Sequence, residues 1–350
     1  TNVKKRARYF KTSKLNLTRN YSKNFIFYLV PFICGLISTL SLPPYNFFYL
    51  NFISFPFLLF FYLNLEKKKA FSSFLYGWTF GFAYFFSNIY WIANSLTVEE
   101  IFKPLIPFAI TIIPLFLGIF YGVSFLIFSN FKPRKKIESI FLFALIFSFL
   151  EYLRGHVLGG FPWMYLGYSQ LDTPLAGFAP LGGVLGVSFL SAVTAGSVAW
   201  GVHSGGKAWA GATGLIVLIM LGTAFVGRSE PVMPIGDALK VAVIQNNISL
   251  SDKWQIGNTR GIRERYLAAS IDAGDADLIV WPEAALPEFL DGLSPDFLQD
   301  LSNHPADFVI GLLERREKSG YLEVFNSALG IGDEQSVYRK QQLVVFGILK

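Results

Sequence analysis

Seven long apolar stretches occupy most of the first 228 residues, and they constrain the fold more than any other feature of the sequence. They cover residues 25–42, 46–65, 72–95, 105–128, 137–154, 180–200 and 210–227. A helix needs about 20 apolar residues to cross a bilayer, and each stretch reaches or approaches that length. Charged residues make up 15% of the chain, against about 25% in soluble domains. We therefore predict a membrane domain of about seven transmembrane helices at residues 25–228.

Basic residues follow a pattern that predicts the orientation of these helices. Lysine and arginine concentrate in the head, residues 1–24, and in the loops at 66–69, 130–136 and 201–208. The intervening loops hold Pro43-Pro44-Tyr45, Glu99-Glu100 and the segment 155–179. Since positive loops remain in the cytoplasm, we predict a basic cytoplasmic head and place residues 229–350 outside the cytoplasm. Binding of the head to nucleic acid is the less favoured alternative to an anchor on anionic lipid.

Residues 229–350 have the composition of a soluble domain with alternating strands and helices. Strands are predicted at 239–245, 277–281, 307–312, 322–331 and 336–340, and helices at 257–273 and from Ser294-Pro295 to about 302. Serine followed by proline is typical of a helix N-cap and first helical residue. This order favours an α/β sandwich over a domain made of strands alone.

Glu283 is the strongest catalytic candidate, because it follows the apolar strand Leu278-Ile279-Val280 within Trp281-Pro282-Glu283. Functional groups of α/β folds gather at the carboxyl ends of strands. A general base there needs a partly dry site and a raised pKa, which we expect the apolar strand end to provide. The alternative is a carboxylate that favours the start of a helix at Ala284.

Lys340, in Tyr338-Arg339-Lys340, is the candidate cation. It is either an exposed lysine at a strand end or a fixed charge that stabilises an oxyanion during acyl transfer. A carboxylate, an ammonium and a thiol form a consistent set for that reaction, in which the thiol attacks and the carboxylate accepts its proton.

Two further groups have a functional and a structural interpretation each. Glu151 and Arg154, at the end of the fifth stretch, are either functional ionisable residues or an ion pair at the membrane interface, with Trp163 in the aromatic belt. Trp254 either contacts lipid or an acyl chain, or belongs to a core. The three histidines lack the spacing of metal ligands, and we predict neither a metal nor a cofactor.

Several motifs occur from residue 151 onwards. They are Glu151-Tyr152-Leu153-Arg154-Gly155, Phe161-Pro162-Trp163, Gly167-Tyr168-Ser169-Gln170, Val243-Ile244-Gln245-Asn246-Asn247-Ile248, Lys253-Trp254, Trp281-Pro282-Glu283, Phe325-Asn326-Ser327-Ala328, Tyr338-Arg339-Lys340 and Leu343-Val344-Val345-Phe346-Gly347. Together they resemble the apolipoprotein N-acyltransferases of the bacterial inner membrane. The resemblance runs over nearly the whole chain.

The resemblance implies a membrane domain followed by the N-terminal part of a periplasmic nitrilase-like α-β-β-α sandwich. It implies acyl transfer from a phospholipid donor, through a cysteine thioester, to the N-terminal diacylglyceryl-cysteine of a lipoprotein. Glu283 matches the general base of the family and Lys340 its lysine. Trp254, Tyr338, Phe346 and Gly347 match the substrate-binding surface. The implied protein is a monomer of the inner membrane.

Two departures from the family pattern limit the expected activity. Ile348 stands where the family has a glutamate, and the catalytic cysteine would lie beyond Lys350. Cys34, in the first apolar stretch, cannot replace it. We therefore expect a truncated member that is inactive alone, since loss of a nucleophile costs on the order of 10⁶-fold in rate. The alternatives are a membrane-anchored amidase with the same outer fold and a non-catalytic membrane binding protein or transporter.

Overall fold

The computed structural model describes residues 25–65, 69–97, 100–131, 135–228, 233–255, 257–318 and 320–341. The predicted basic head lies outside these residues. The chain divides into two compact units, one ending at Met233 and the other beginning at Pro234. The first, the helical unit, is built from α-helices, and the second, the α/β unit, carries a mixed sheet.

Helices lie at each of the seven apolar stretches of the helical unit. Their bounds are α1 Phe25–Thr39, α2 Asn51–Leu63, α3 Ala70–Asn88, α4 Ile92–Leu96, α5 Ile106–Asn130, α6 Lys136–Arg154, α7 Ala179–Ser204 and α8 Lys207–Arg228. Several are membrane-spanning. With its preceding turns, the α5 segment Ile101–Asn130 is long and apolar enough to cross a bilayer, as are Pro174–Ser204 and Lys207–Arg228. The total of seven spans stays a prediction.

The third predicted span, residues 72–95, is interrupted in the structure. Helix α3 ends at Asn88, and the short α4 follows. The side-chain amide of Asn88 donates to the carbonyl of Tyr84, at 2.8 Å, and to the hydroxyl of Thr39, at 3.1 Å. Asparagine competes in this way with continued helical hydrogen bonding, and a hydropathy pattern does not register that competition.

Close backbone packing and aromatic rings hold the helical unit together. A Cβ added at Gly81 of α3 would lie 2.9 Å from the Cα of Gly118 in α5, so only glycine permits this approach. Next to it, the buried rings of Tyr121 and Phe147 stack with centroids 4.8 Å apart. Small residues at helix contacts and dispersion between large side chains are the usual means of packing apolar helices.

The α/β unit contains one five-stranded sheet in the order β1-β2-β3-β4-β5. The strands are β1 Val241–Val243, β2 Leu278–Val280, β3 Asp307–Lys318, β4 Tyr321–Ile331 and β5 Gln335–Arg339. The first three pair in parallel and the last three antiparallel. The short helix α9, Leu250–Lys253, follows β1, and α10, Thr259–Asp272, and α11, Pro295–Ser302, follow in turn.

A compact apolar core sets the position of the strands in this unit. Trp281 and Phe308 are 2% exposed, and their rings contact each other. The Trp281 ring also contacts those of Tyr266 in α10 and Phe297 in α11. The hydroxyl of Ser294 accepts the amide hydrogen bond of Phe297, as its predicted N-cap role requires. The predicted fold class, apolar membrane helices followed by an α/β domain, is confirmed.

Candidate active site

The carboxyl end of β2 carries Glu283, and Trp281 anchors that end. The Trp281 amide donates to the carbonyl of Val309 in β3 at 2.8 Å, and its indole N–H donates to the hydroxyl of Ser270 at 2.9 Å. The indole also stacks on Tyr266, with centroids 4.8 Å apart. The strand end is therefore rigid up to the residue before the Pro282-Glu283 turn.

The chain turns sharply at Glu283. Ala284 has a φ of 46°, in the left-handed region that non-glycine residues rarely adopt, and the amide of Ala285 donates to the carbonyl of Pro282 at 3.1 Å. Gly311 of β3 lies directly beneath. A Cβ there would be 2.1 Å from the Pro282 oxygen and 2.8 Å from the Glu283 Cα. Glycine at 311 thus permits the close approach that fixes the Glu283 backbone.

Lys340 and Asn326 both contact the Glu283 carboxylate. The Lys340 Nζ lies 2.9 Å from Glu283 Oε1, and the Asn326 side-chain amide donates to the same oxygen. The register of β4 and β5 places Lys340 beside Asn326. Ser327 of β4 pairs with Arg339 of β5, and the Lys340 amide donates to the Asn326 carbonyl at 2.9 Å. No donor among the described residues reaches the second oxygen, Oε2.

These contacts lower the pKa of Glu283. The hydrogen bond from Lys340 is the largest cause; burial acts in the opposite direction, and the Lys340 charge, Asn326 and the charge of Lys253 lower it further. The side chain is 64% exposed. The expectation of a dry site with a raised pKa was wrong, because it considered the apolar strand and not the cation beside the carboxylate. Glu283 is therefore an ionised carboxylate at neutral pH, held through one oxygen by Lys340 and Asn326.

Lys253 adds a second cation near Glu283. Burial lowers the pKa of Lys253, and the charge of Glu283 acts against that shift. Its Nζ lies 6.0 Å from the ring centroid of Trp254, whose side chain is 49% exposed. Trp254 is therefore surface rather than core, which leaves an apolar ring available beside the charged group.

A bidentate ion pair fixes the strand that precedes Lys340. The Arg339 guanidinium donates to both carboxylate oxygens of Glu314 in β3, at 2.7 and 2.6 Å. This hydrogen-bonded pair holds the pKa of Glu314 below its ordinary value, and burial opposes the shift. The contact spans three strands and holds the end of β5, from which Lys340 extends towards Glu283.

The remaining predicted site residues lie in three places. Tyr338 is exposed on β5, while Phe346 and Gly347 are outside the described residues. Glu151 and Arg154 form an ion pair in the helical unit, 3.7 Å apart and with both side chains fully buried. Trp163 follows them along the chain and is 47% exposed.

Asn326, Lys253, Gly311 and Arg339 were not among the predicted site residues. The signal for Asn326 is an amide within an otherwise apolar strand, in Phe325-Asn326-Ser327-Ala328. Lys253 and Arg339 directly precede the predicted site residues Trp254 and Lys340 in the sequence. Gly311 carries no comparable signal, because its role depends on the path of a segment about 30 residues earlier.

Comparison with known proteins gives a consistent result. A family model described as the apolipoprotein N-acyltransferase N-terminal domain matches residues 34–197. Apolipoprotein N-acyltransferase from Coxiella burnetii is 31% identical over 90% of this chain and 65% of its own length. The Pseudomonas putida protein of that name is 30% identical over 91% of this chain and 64% of its own length. The Photobacterium profundum protein is 31% identical over 89% of this chain and 62% of its own length. The chain thus spans less than two thirds of these curated relatives.

Proposed function

Because the chain is a homologue of the apolipoprotein N-acyltransferases, we propose that its α/β unit supplies the base and the cation of acyl transfer from a phospholipid to a lipoprotein. The donor is the acyl ester of a membrane phospholipid. The acceptor is the α-amino group of a diacylglyceryl-modified N-terminal cysteine.

The Glu283–Lys340 contact carries this proposal. The two residues are 57 positions apart, yet the sheet brings the Lys340 Nζ to 2.9 Å from the Glu283 carboxylate. Two donors bind one oxygen of this carboxylate, Oε1. The other oxygen, Oε2, points away from them and can accept a proton. A cation next to that acceptor is placed to stabilise a neighbouring oxyanion.

In the first half-reaction Glu283 accepts the proton of an attacking thiol. The sulfur forms a bond to the ester carbonyl carbon of the phospholipid, and Lys340 stabilises the negative charge that develops on the carbonyl oxygen. The bond from that carbon to the glycerol oxygen then breaks. Glu283 returns its proton to this oxygen, which releases a lysophospholipid and leaves a thioester.

In the second half-reaction the lipoprotein amine attacks the thioester carbonyl carbon. Glu283 takes the proton that the amine loses, and Lys340 again stabilises the oxyanion. The carbon–sulfur bond then breaks, and Glu283 gives its proton to the departing sulfur. The products are an amide on the lipoprotein and a free thiol. A base and a cation that serve both steps suit a two-step transfer, in which one difficult reaction is divided into two easier ones.

Residues 1–350 do not bring a thiol to this pair. Their only cysteine is Cys34, which is buried in α1, within the helical unit. Burial in apolar surroundings makes a cysteine inert. We propose that these residues alone form no thioester, and that Glu283 and Lys340 act when a thiol is supplied to the α/β unit.

We also propose an arrangement in the membrane. Helices α1 to α8 lie in the bacterial inner membrane, with the basic head in the cytoplasm, and residues 229–350 form the N-terminal part of a periplasmic nitrilase-like domain. The alternation of basic loops supports this orientation. It places Trp254 and the candidate site on the side where lipoprotein N-termini are exposed.

A chimera tests the function. Residues 1–350 replace the matching part of the Coxiella burnetii relative, and transfer of labelled acyl chains from phospholipid to a diacylglyceryl lipopeptide is followed. We expect the chimera to transfer label and the 350-residue chain to transfer none and to form no thioester. A folded chimera without transfer, beside an active parent, would contradict the proposed site. Thioester formation by the 350-residue chain would contradict the proposed need for an added thiol.

A further inference from the structure

A cavity of about 410 Å³ lies within the helical unit, where α1 and α3 end. Its lining includes Leu42, Trp91, Trp163, Met164 and Tyr168. Its size falls within the range of about 300–1,000 Å³ of small-molecule sites, and its largely aliphatic and aromatic lining suits an apolar group. Trp163, Met164 and Tyr168 belong to the segment after α6, here called the return segment, residues 161–168.

The return segment has little regular structure of its own. It is extended around Tyr165, and Met164 has a φ of 60°. Its backbone carbonyls must therefore find partners outside a helix or sheet. Arg154, the last residue of α6, provides them: its Nη1 lies 2.7 Å from the carbonyls of Phe161 and Trp163, and its Nη2 3.4 Å from that of Met164.

Glu151, one turn earlier on α6, holds the other end of the return segment. Its Oε1 accepts the amide hydrogen bond of Leu166 at 2.9 Å and the hydroxyl hydrogen bond of Tyr121 at 3.0 Å. The Arg154 guanidinium lies 3.7 Å from the same oxygen and within 5.0 Å of the ring centroids of Phe85 and Tyr165. Both side chains thus bind backbone groups of the return segment, and Glu151 also binds the Tyr121 hydroxyl.

We propose that Glu151 and Arg154 are positioning residues that hold Trp163 and Met164 in the wall of this cavity. The planar fork of arginine reaches the three carbonyls from two separate nitrogens, whereas lysine offers its donors from a single point. The backbone contacts thus hold the aromatic part of the cavity wall in place. The centroid of the Trp163 ring lies 5.5 Å from that of Trp91, and the two rings are inclined by 60°. This role is independent of acyl transfer by the α/β unit.

The Trp91–Trp163 pair provides a direct readout, since two indoles at this distance and angle couple their transitions and give an exciton couplet in circular dichroism. The Trp91→Phe and Trp163→Phe variants identify that couplet in the full chain in detergent micelles. In Arg154→Lys the charge opposite Glu151 remains while the three-carbonyl contact is lost. We expect it to lose most of the couplet and to keep its helical signal.

Two further variants complete the test. Arg228→Lys changes an arginine that is likewise the last residue of an apolar helix but is exposed, and we expect it to leave the couplet unchanged. Glu151→Ala removes the acceptor for Leu166, and we expect a weakened couplet. Retention of the full couplet in Arg154→Lys would overturn the proposal. Loss of the couplet together with the helical signal would also overturn it, because the pair would then support the whole fold rather than position one wall.

Discussion

In each unit a glutamate predicted as a site residue contacts a cation, and the two contacts differ in almost every physical respect. In the helical unit, Glu151 and Arg154 are three residues apart, and both side chains are fully buried. In the α/β unit, Glu283 and Lys340 are 57 residues apart, and their side chains are 64% and 32% exposed. The buried pair binds backbone groups of one segment, while the exposed pair faces solvent.

The difference separates a structural charge pair from a reactive one. A buried ion pair that is hydrogen-bonded to fixed carbonyls and amides has no other partners available at low cost. Both residues therefore keep their charge and their contacts. An exposed ion pair is weak, so its carboxylate can leave its partner for water or accept a proton from a substrate. Of the two carboxylates, Glu283 is therefore the one that we propose for proton transfer, although Glu151 is the more strongly enclosed.

The largest effect is expected from removing one member of the buried pair. Arg154→Met leaves the Glu151 charge buried without its partner, and such changes cost about 3–5 kcal/mol. We expect a large loss in the thermal stability of the helical unit, measured by circular dichroism in detergent. The matched change in the exposed pair, Lys340→Met, is expected to cost at most about 1 kcal/mol. Equal losses would remove the distinction between the pairs.

Gly311→Ala is expected to have an intermediate effect. The added Cβ would lie 2.1 Å from the Pro282 oxygen, and overpacking of this kind costs about 1–3 kcal/mol. Because the clash is with the backbone that carries Glu283, we also expect the carboxylate to move away from Lys340. A rise of the Glu283 pKa, measured by carbon-13 NMR, would report that movement. Gly292→Ala, with open space around its Cβ, is the control.

The third prediction concerns pH. The pKa of Glu283 is lowered in the folded chain, mainly by the hydrogen bond from Lys340. The resulting stabilisation is present above the pKa of the unfolded chain and is lost as the pH falls through the lowered folded value. Lys340→Met should therefore raise the Glu283 pKa, and the stability difference from the parent chain should vanish in acid. A difference that persists unchanged at low pH would point to packing of the lysine stem.

The smallest effect is expected from salt. At 1 M ionic strength the Debye length is about 3 Å, so exposed charges are screened and buried ones much less. We expect high salt to raise the pKa of Glu283 slightly and to leave the Trp91–Trp163 couplet unchanged. A pKa that does not respond would mean that Glu283 is less open to solvent than its exposure indicates.

Local patterns predicted much of this structure. The apolar stretches, the Ser294 N-cap and the strand before Glu283 depend on neighbouring residues, and they appear close to where they were expected. Strand β3 departs from its prediction, because it runs to Lys318 while its predicted end was 312. The charged residues 314–318 indicate a loop by composition, but they pair with β4 as a hairpin arm.

The features that sequence reasoning missed depend on register and long-range contact. The lowered pKa of Glu283 follows from a lysine 57 residues away, and the use of Arg154 follows from three carbonyls of the return segment. Neither contact produces a periodic pattern in the amino-acid sequence. A motif can therefore identify Glu283 and Arg154 as unusual without indicating which of them is solvated.

The most direct test of the central claim is the acyl-transfer rate of the Coxiella burnetii chimera with Glu283→Gln. The amide keeps the shape of the side chain and an oxygen that can accept the Lys340 hydrogen bond, but it cannot take a proton from a thiol. We predict a rate lower by about 10²–10⁴-fold, the usual contribution of a general base, in a chimera with unchanged helical signal. Transfer at the rate of the unsubstituted chimera would contradict the assignment of Glu283 as the base.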